Sequence, residues 1–234
     1  MSVAAMTMKL KGKFVITVAI LFFSVPSLFA EMSREYLEYG TERIRLDVYN
    51  PGFAKCPVVV LIHGASGIES ADRALRYKQF ATDLMNSGFI AINVYYFDTK
   101  GKQWAKTIIE TINHSQKISN ADMSRIGLVG YSLGGVIGLN VAASDKRVKA
   151  LAMNAGFLPG GFSKTDAARL PLTLMISGDK DPAMETLTKL AGWFDELGKP
   201  YEKKIDQGIG HDNVPLDVFE EDWNTILRFL KNHL

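Results

Sequence analysis

Arg125-Ile126-Gly127-Leu128-Val129-Gly130-Tyr131-Ser132-Leu133-Gly134-Gly135-Val136-Ile137-Gly138 is the stretch on which the reading of the chain turns. A short apolar run suited to a buried strand passes through a G-x-S-x-G pattern into small and aliphatic residues suited to a helix. A serine on so sharp a strand-to-helix turn sits in strained backbone with its hydroxyl projecting. The residues two places either side must be small, and Gly130 and Gly134 are. Gly134, Gly135 and Gly138 let the helix lie close on the sheet, and its N-terminus favours negative charge near Ser132. Ser132 is therefore the candidate nucleophile; the alternative is a surface turn that happens to contain serine.

Outward from this turn, strand-like and helical segments alternate. Val58 to Ile62 is wholly apolar and rich in β-branched residues, as expected of a central parallel strand covered on both faces. Arg43 to Tyr49 reads as an early edge strand, and Phe89 to Tyr96, Val148 to Met153, Leu172 to Ile176 and Tyr201 to Ile205 as further strands. Helices are expected over Ala71 to Ser87, Trp104 to Gln116, the segment from Gly135 to about Ser144, Glu185 to Leu197 and Phe219 to Leu230. In the last two, Leu187, Leu190, Phe194 and Leu197, and Phe219, Trp223, Ile226 and Leu230, each fall on one stripe. Such a succession predicts a mostly parallel central sheet with helices on both faces. Chemistry then belongs at the carboxyl ends of the strands.

A serine hydroxyl needs a base. His114 lies in a polar helical stretch and His233 near the end of the chain, and both read as solvated. His63 ends the strand Val58 to Ile62. His211, in the loop Gly208-Ile209-Gly210-His211 before the last helix, occupies the place of a late base in the order Ser, Asp, His. The acid should fall between them. Ser177-Gly178-Asp179-Lys180-Asp181-Pro182 offers Asp181, ahead of a helix, and Asp179, better suited to shaping the turn. Asp181 is preferred, 49 residues after Ser132 and 30 before His211. An acyl-transfer intermediate also needs oxyanion donors: the backbone N–H of Leu133, and that of Ala65 in the loop His63-Gly64-Ala65-Ser66-Gly67. The histidines and carboxylates lack metal-ligand spacing such as H-x-x-x-H, so neither a metal nor another cofactor is expected.

The 234 residues suit one domain, and with 47% hydrophobic and 22% charged side chains they supply an ordinary core. Residues 1–30 differ in kind. Lys9, Lys11 and Lys13 precede the apolar run Phe14 to Val25, and Ser27-Leu28-Phe29-Ala30 follows. These are the marks of an export signal cleaved after Ala30, which leaves a catalytic domain over 31–234 in a periplasmic or secreted protein. Met8 is a second candidate start. The apolar run is short of the roughly 20 residues that span a bilayer, so a membrane contact would arise only if the segment stayed uncleaved as an anchor. Without it, 24 basic side chains face 25 acidic ones, a net charge of −1 with no footprint for nucleic acid. Cys56 is the single cysteine, so no internal disulfide forms.

Taken together, His63-Gly64 after a hydrophobic strand, the approach Asp122-Met123-Ser124-Arg125-Ile126-Gly127, the elbow Gly130 to Gly135, Gly178-x-x-Asp181 and Gly210-His211 resemble the dienelactone hydrolase family. The likeness covers most of residues 55–234. It implies an α/β-hydrolase fold and an esterase with Ser132, Asp181 and His211 as its triad. Typical members carry a cysteine nucleophile and an early-loop glutamate where this chain has Ser132 and Gly64. The two departures fit together, because a serine needs no glutamate to modulate a thiolate. The family's arginine after the histidine is replaced by Asp212-Asn213-Val214-Pro215, so a small carboxylic ester is expected as substrate in preference to dienelactone. The short glycine-bearing stretch Asn154 to Leu170 leaves little or no lid. Phe97, Tyr131, Leu133, Phe157 and Phe162 are candidates to line an acyl pocket. A peptidase or acyltransferase on the same scaffold, and a binding protein without catalysis, are the alternatives.

Overall fold

Alternation along the central strands divides the protein into two apolar layers. A computed structural model describes residues 4–7, 17–20, 31–52, 55–99, 103–211 and 216–234. In the strand Cys56–Ile62 every residue is buried. Val58, Val60 and Ile62 join one cluster with Ile108, Leu139, Leu190 and Phe194, while Val59 and Leu61 join a second with Phe80, Leu84, Trp223 and Phe229. That period of two, with both faces apolar, is what helices on either side of a sheet demand.

In chain order the strands are β1 (Ala4–Thr7), β2 (Thr17–Ile20), β3 (Glu31–Tyr39), β4 (Glu42–Asn50), β5 (Cys56–Ile62), β6 (Ile90–Val94), β7 (Ala121–Tyr131), β8 (Val148–Asn154), β9 (Leu172–Gly178) and β10 (Tyr201–Asp206). The helices are α1 (Ala71–Asn86), α2 (Trp104–Ser115), α3 (Leu133–Ser144), α4 (Lys164–Ala167), α5 (Ala183–Leu197) and α6 (Leu216–His233). An eight-stranded open sheet runs in the order β10-β9-β8-β7-β5-β6-β4-β3. From β6 to β10 every neighbouring pair is parallel, and β3 and β4 extend it antiparallel. This is the mostly parallel sheet of an α/β-hydrolase. β1 and β2 pair only with each other; the rest of the expected export segment lies outside the described residues.

Two expectations need correction. Arg43 to Tyr49 is not an edge strand: β4 lies one strand in, between β6 and β3, with Ile44, Leu46 and Val48 buried. The edge is β3, whose Glu-Met-Ser-Arg-Glu-Tyr sequence leaves Met32 and Tyr36 49% and 40% exposed. Charge of that kind is how edge strands resist pairing with other chains. His114 is not solvated either. It is buried, and its Nε2 lies 2.7 Å from Glu35 Oε2, fastening α2 to β3.

Local chemistry fixes the helix ends. α5 stops at Gly198, whose φ of +63° lets the N–H of Lys199 return to the Phe194 carbonyl. α3 is apolar over most of its surface because most of it is packed: Ile137, Leu139 and Val141 are buried with Gly134, Gly135 and Gly138, and Asn140 marks the side that meets solvent. Between Asn154 and Leu170 the one helix is the four-residue α4, so the carboxyl edge of the sheet carries no large cover over this stretch. Phe194 is fully buried in the larger cluster. Phe194→Ala is expected to lower the unfolding free energy by about 3–5 kcal/mol, read from urea denaturation.

Candidate active site

Ser132 stands between β7 and α3 with φ 52° and ψ −114°, a conformation that costs a non-glycine residue about 1–3 kcal/mol. The surrounding backbone holds it there. The Ser132 N–H donates to the Asn154 carbonyl at 2.9 Å, and the Ser132 carbonyl accepts from the N–H of Gly135 at 2.9 Å. A Cβ at Gly134 would lie 2.0 Å from the carbonyl oxygen of Ile62, and one at Gly130 would lie 2.3 Å from that of Gly134. Any side chain at either place would force the turn apart.

His211 and Asp181 arrive on neighbouring loops that are tied backbone to backbone. Asp179 N–H donates to the Asp206 carbonyl at 2.9 Å and Lys180 N–H to the Ile209 carbonyl at 3.0 Å. The Asp179 carboxylate accepts the Gly208 N–H at 2.7 Å, so it shapes this turn as its sequence position predicts. A Cβ at Gly178 would be 2.1 Å from the Ile209 carbonyl oxygen, so this junction also excludes a side chain. The outcome is a connected line. Ser132 Oγ is 2.9 Å from His211 Nε2, and His211 Nδ1 is 3.0 and 2.9 Å from the two carboxylate oxygens of Asp181.

A carboxylate only accepts, so His211 carries its proton on Nδ1 and leaves the Nε2 lone pair for the serine hydroxyl. Asp181 is buried, and its Oδ1 also accepts the Ala183 N–H at 2.8 Å at the start of α5. The His211 side chain stays a quarter exposed, within reach of solvent. The arrangement can take a proton from Ser132 and stabilise the imidazolium that results.

The early loop abuts the turn. A Cβ at Gly64 would fall 3.0 Å from the Tyr131 ring and 3.4 Å from Ser132 Cβ. A side chain such as the glutamate usual in this loop would thus press on Tyr131, which gives the glycine a steric reason. Ala65 is exposed in the turn that follows. Leu133, first residue of α3, carries one of the amides that the helix leaves without an internal acceptor.

His63 is buried, stacks on Tyr96 at 4.0 Å and donates from Nδ1 to the Gly64 carbonyl at 2.9 Å. Burial pushes its pKa down from 6.5 to about 4, against the smaller opposing effect of that bond. Of the proposed pocket residues, Tyr131 and Phe157 flank His211, with ring centroids at 6.2 and 5.2 Å. Phe97, 41% exposed, stands edge-on to His63 at 4.8 Å. Leu133 and Phe162 pack against the core. Asp212 to Pro215 lie outside the described residues. Among those described, no group of histidine, cysteine and carboxylate side chains is arranged to hold a metal ion.

The profile of the dienelactone hydrolase family matches residues 44–212. The chain belongs to that family. An Escherichia coli protein described as an uncharacterized 31.7 kDa protein of the traX-finO intergenic region is 30% identical over 161 residues, 63% of this chain and 51% of that protein. The chain thus spans about half the length of the curated relative it matches. Its fold is shared with a fungal esterase of Rhizomucor miehei (TM-score 0.72, 14% identity, 87% of this chain and 84% of that one). It is shared also with dipeptidyl peptidase 4 of Porphyromonas gingivalis (TM-score 0.70, 15% identity, 88% of this chain and 36% of that one).

Sequence reasoning missed two supports of this family site. The Tyr96 hydroxyl donates to the His63 carbonyl and so fixes the exit of β5. Asp222, in the acidic run Glu220-Glu221-Asp222, reads as solvated surface yet is only 2% exposed, and it accepts from Asn154 Nδ2 at 2.8 Å. Nothing in the local pattern marks either one.

The His63 shift has a definite consequence for stability. Its folded pKa lies below the ordinary value, so its contribution is complete above pH 6.5 and is lost as pH falls towards 4, when only the unfolded chain gains the proton. Asp222 opposes this: burial raises its pKa from 3.8 to about 6, so its contribution declines as pH rises across that interval. Comparing the parent with His63→Gln cancels the Asp222 effect. Urea denaturation is expected to show the parent losing about 3 kcal/mol relative to the variant between pH 6.5 and 4.

Proposed function

We propose that this protein hydrolyses small carboxylic esters through an acyl-enzyme on Ser132, with His211 as general base and acid and Asp181 orienting it. The observation that carries the reading is the continuous contact from Ser132 Oγ to His211 Nε2 at 2.9 Å and from His211 Nδ1 to Asp181 at 2.9 Å. In the first half-reaction Oγ bonds to the ester carbonyl carbon while its proton passes to Nε2. The tetrahedral oxyanion takes hydrogen bonds from the N–H groups of Leu133 and Ala65. The C–O bond to the alcohol then breaks, and the imidazolium returns the proton to the departing oxygen. Water, deprotonated by the same imidazole, attacks the acyl carbon and releases the acid, restoring the Ser132 hydroxyl. Asp181 stays ionised throughout and holds the tautomer.

Supporting a small acyl group are the rings of Tyr131 and Phe157 close over His211 and the brevity of the Asn154 to Leu170 stretch. A fluorophosphonate is expected to label the parent on Ser132, located by peptide mapping. Ser132→Ala should lose both the label and turnover of p-nitrophenyl acetate, and Asp181→Asn should lower kcat about 10³–10⁴-fold. Turnover retained in Ser132→Ala, or a faster rate on a peptide anilide than on the ester, counts against the reading.

Export is the second part of the proposal, supported by Lys9, Lys11 and Lys13 ahead of the apolar run and by Ala30 after it. Protein recovered from the periplasm or medium of an expressing bacterium should begin at Glu31 on N-terminal sequencing. A chain retaining Lys9 to Lys13 at its start would overturn this part.

A further inference from the structure

Beneath the Ser132 turn lies a buried polar cluster that the proton-transfer line does not use. At the ends of β7 and β8 two non-glycine residues take positive φ, Ser132 at +52° and Ala155 at +51°. Asn154 joins them. Its carbonyl accepts the Ser132 N–H at 2.9 Å, and the next N–H, of Ala155, donates to the Ile176 carbonyl at 2.9 Å. The Asn154 side chain leaves the opposite way and donates from Nδ2 to Asp222 Oδ2 at 2.8 Å. Asp222 Oδ1 accepts from Lys204 Nζ at 2.6 Å, and Lys204 also donates to Asp206 Oδ1 at 2.5 Å. The Asp206 carbonyl in turn receives the Asp179 N–H, two residues before Asp181. One cluster therefore links α6, β8 and β10 to both the Ser132 turn and the Asp181 loop.

Ion pairs with a buried partner, here Asp222 against the quarter-exposed Lys204, are weak evidence for stability, since apolar residues of the same volume often do as well. What the pair supplies here is a fixed place for Asn154. A cavity of about 30 Å³, lined in part by Gly130, Tyr131, Asn154, Asp222 and Trp223, adjoins it, leaving room for an untethered side chain to shift. Two strained residues meet at Asn154, and strain persists only where its surroundings over-determine it.

We propose that Asp222 and Asn154 are positioning residues that hold the strained Ser132 turn in its reactive geometry through the Asn154 carbonyl. This rests on the reading of Ser132 as nucleophile. It is tested with three variants, assayed well below their melting temperatures for p-nitrophenyl acetate turnover and for the rate of fluorophosphonate labelling. Asn154→Ala cuts the tether while Asp222 keeps Lys204, and is expected to lower kcat and the labelling rate about tenfold with KM within twofold of the parent. Asn154→Asp alone sets two carboxylates face to face and should lower both further, or fail to fold. Combining Asn154→Asp with Asp222→Asn exchanges carboxylate and amide, restores the hydrogen bond between them and leaves an acceptor for Lys204; it should recover most of the lost rate.

Parental kcat and labelling in Asn154→Ala, whatever its melting temperature, would overturn the proposal. So would an exchanged double variant that folds with the parental melting temperature yet stays as slow as Asn154→Ala. If the parent itself takes no label and Ser132→Ala still turns over substrate, the assignment of Ser132 has failed instead, a result that these ratios do not mimic.

Discussion

The molecule is organised around one very close approach, that of α3 to the end of β5. With the Gly134 Cα seated where a Cβ would meet the Ile62 carbonyl at 2.0 Å, the turn that carries Ser132 is pressed on the strand that carries His63 and the early loop. No other residue type fits, because the obstacle is backbone and cannot give way. From this approach follow the closeness of Gly64 to Tyr131 and to Ser132 and the strained conformation of Ser132. The wholly apolar β5 and the buried Ile126 to Gly130 half of β7, held by helices on both faces, make the sheet stiff enough to sustain that strain.

The electrostatic design is graded by depth. Asp181 is buried and its oxygens are met by N–H groups; His211 is partly open, and the serine lies at the surface end of the line. A carboxylate kept from water but hydrogen-bonded holds an imidazole more firmly than one competing with solvent. His63 illustrates the opposite use of burial. It is kept neutral by burial, where a second positive charge would make it harder for His211 to accept a proton.

Much of this was legible in the sequence, for physical reasons. β5 and β7 declared themselves because strands covered on both faces need unbroken apolar runs, and the turn because its glycines answer a steric demand. The choice of Asp181 over Asp179 as the partner of His211 agrees with a residue that enters a helix rather than closes a turn. Illegible were the features in which tertiary contact overrides local pattern. β3 is charged because it lies at the edge, and so it resembles a leader to β4 more than a strand. His114, between Asn113 and Ser115, looks solvated until β3 folds over it. Asp222 looks like surface because its two acidic neighbours are; only the packing of α6 against β8 turns it inward.

Among the described residues β10 pairs with β9 along one side and with no strand on the other, yet it delivers the loop bearing His211. Free energies of local opening are lowest where backbone pairing is one-sided. The imidazole is therefore mounted at one of the two borders of the sheet, β3 being the other. Gentle warming or dilute denaturant should therefore loosen the His211 loop from Ser132 while the central strands remain folded, so a local change at this end of the sheet should precede loss of structure.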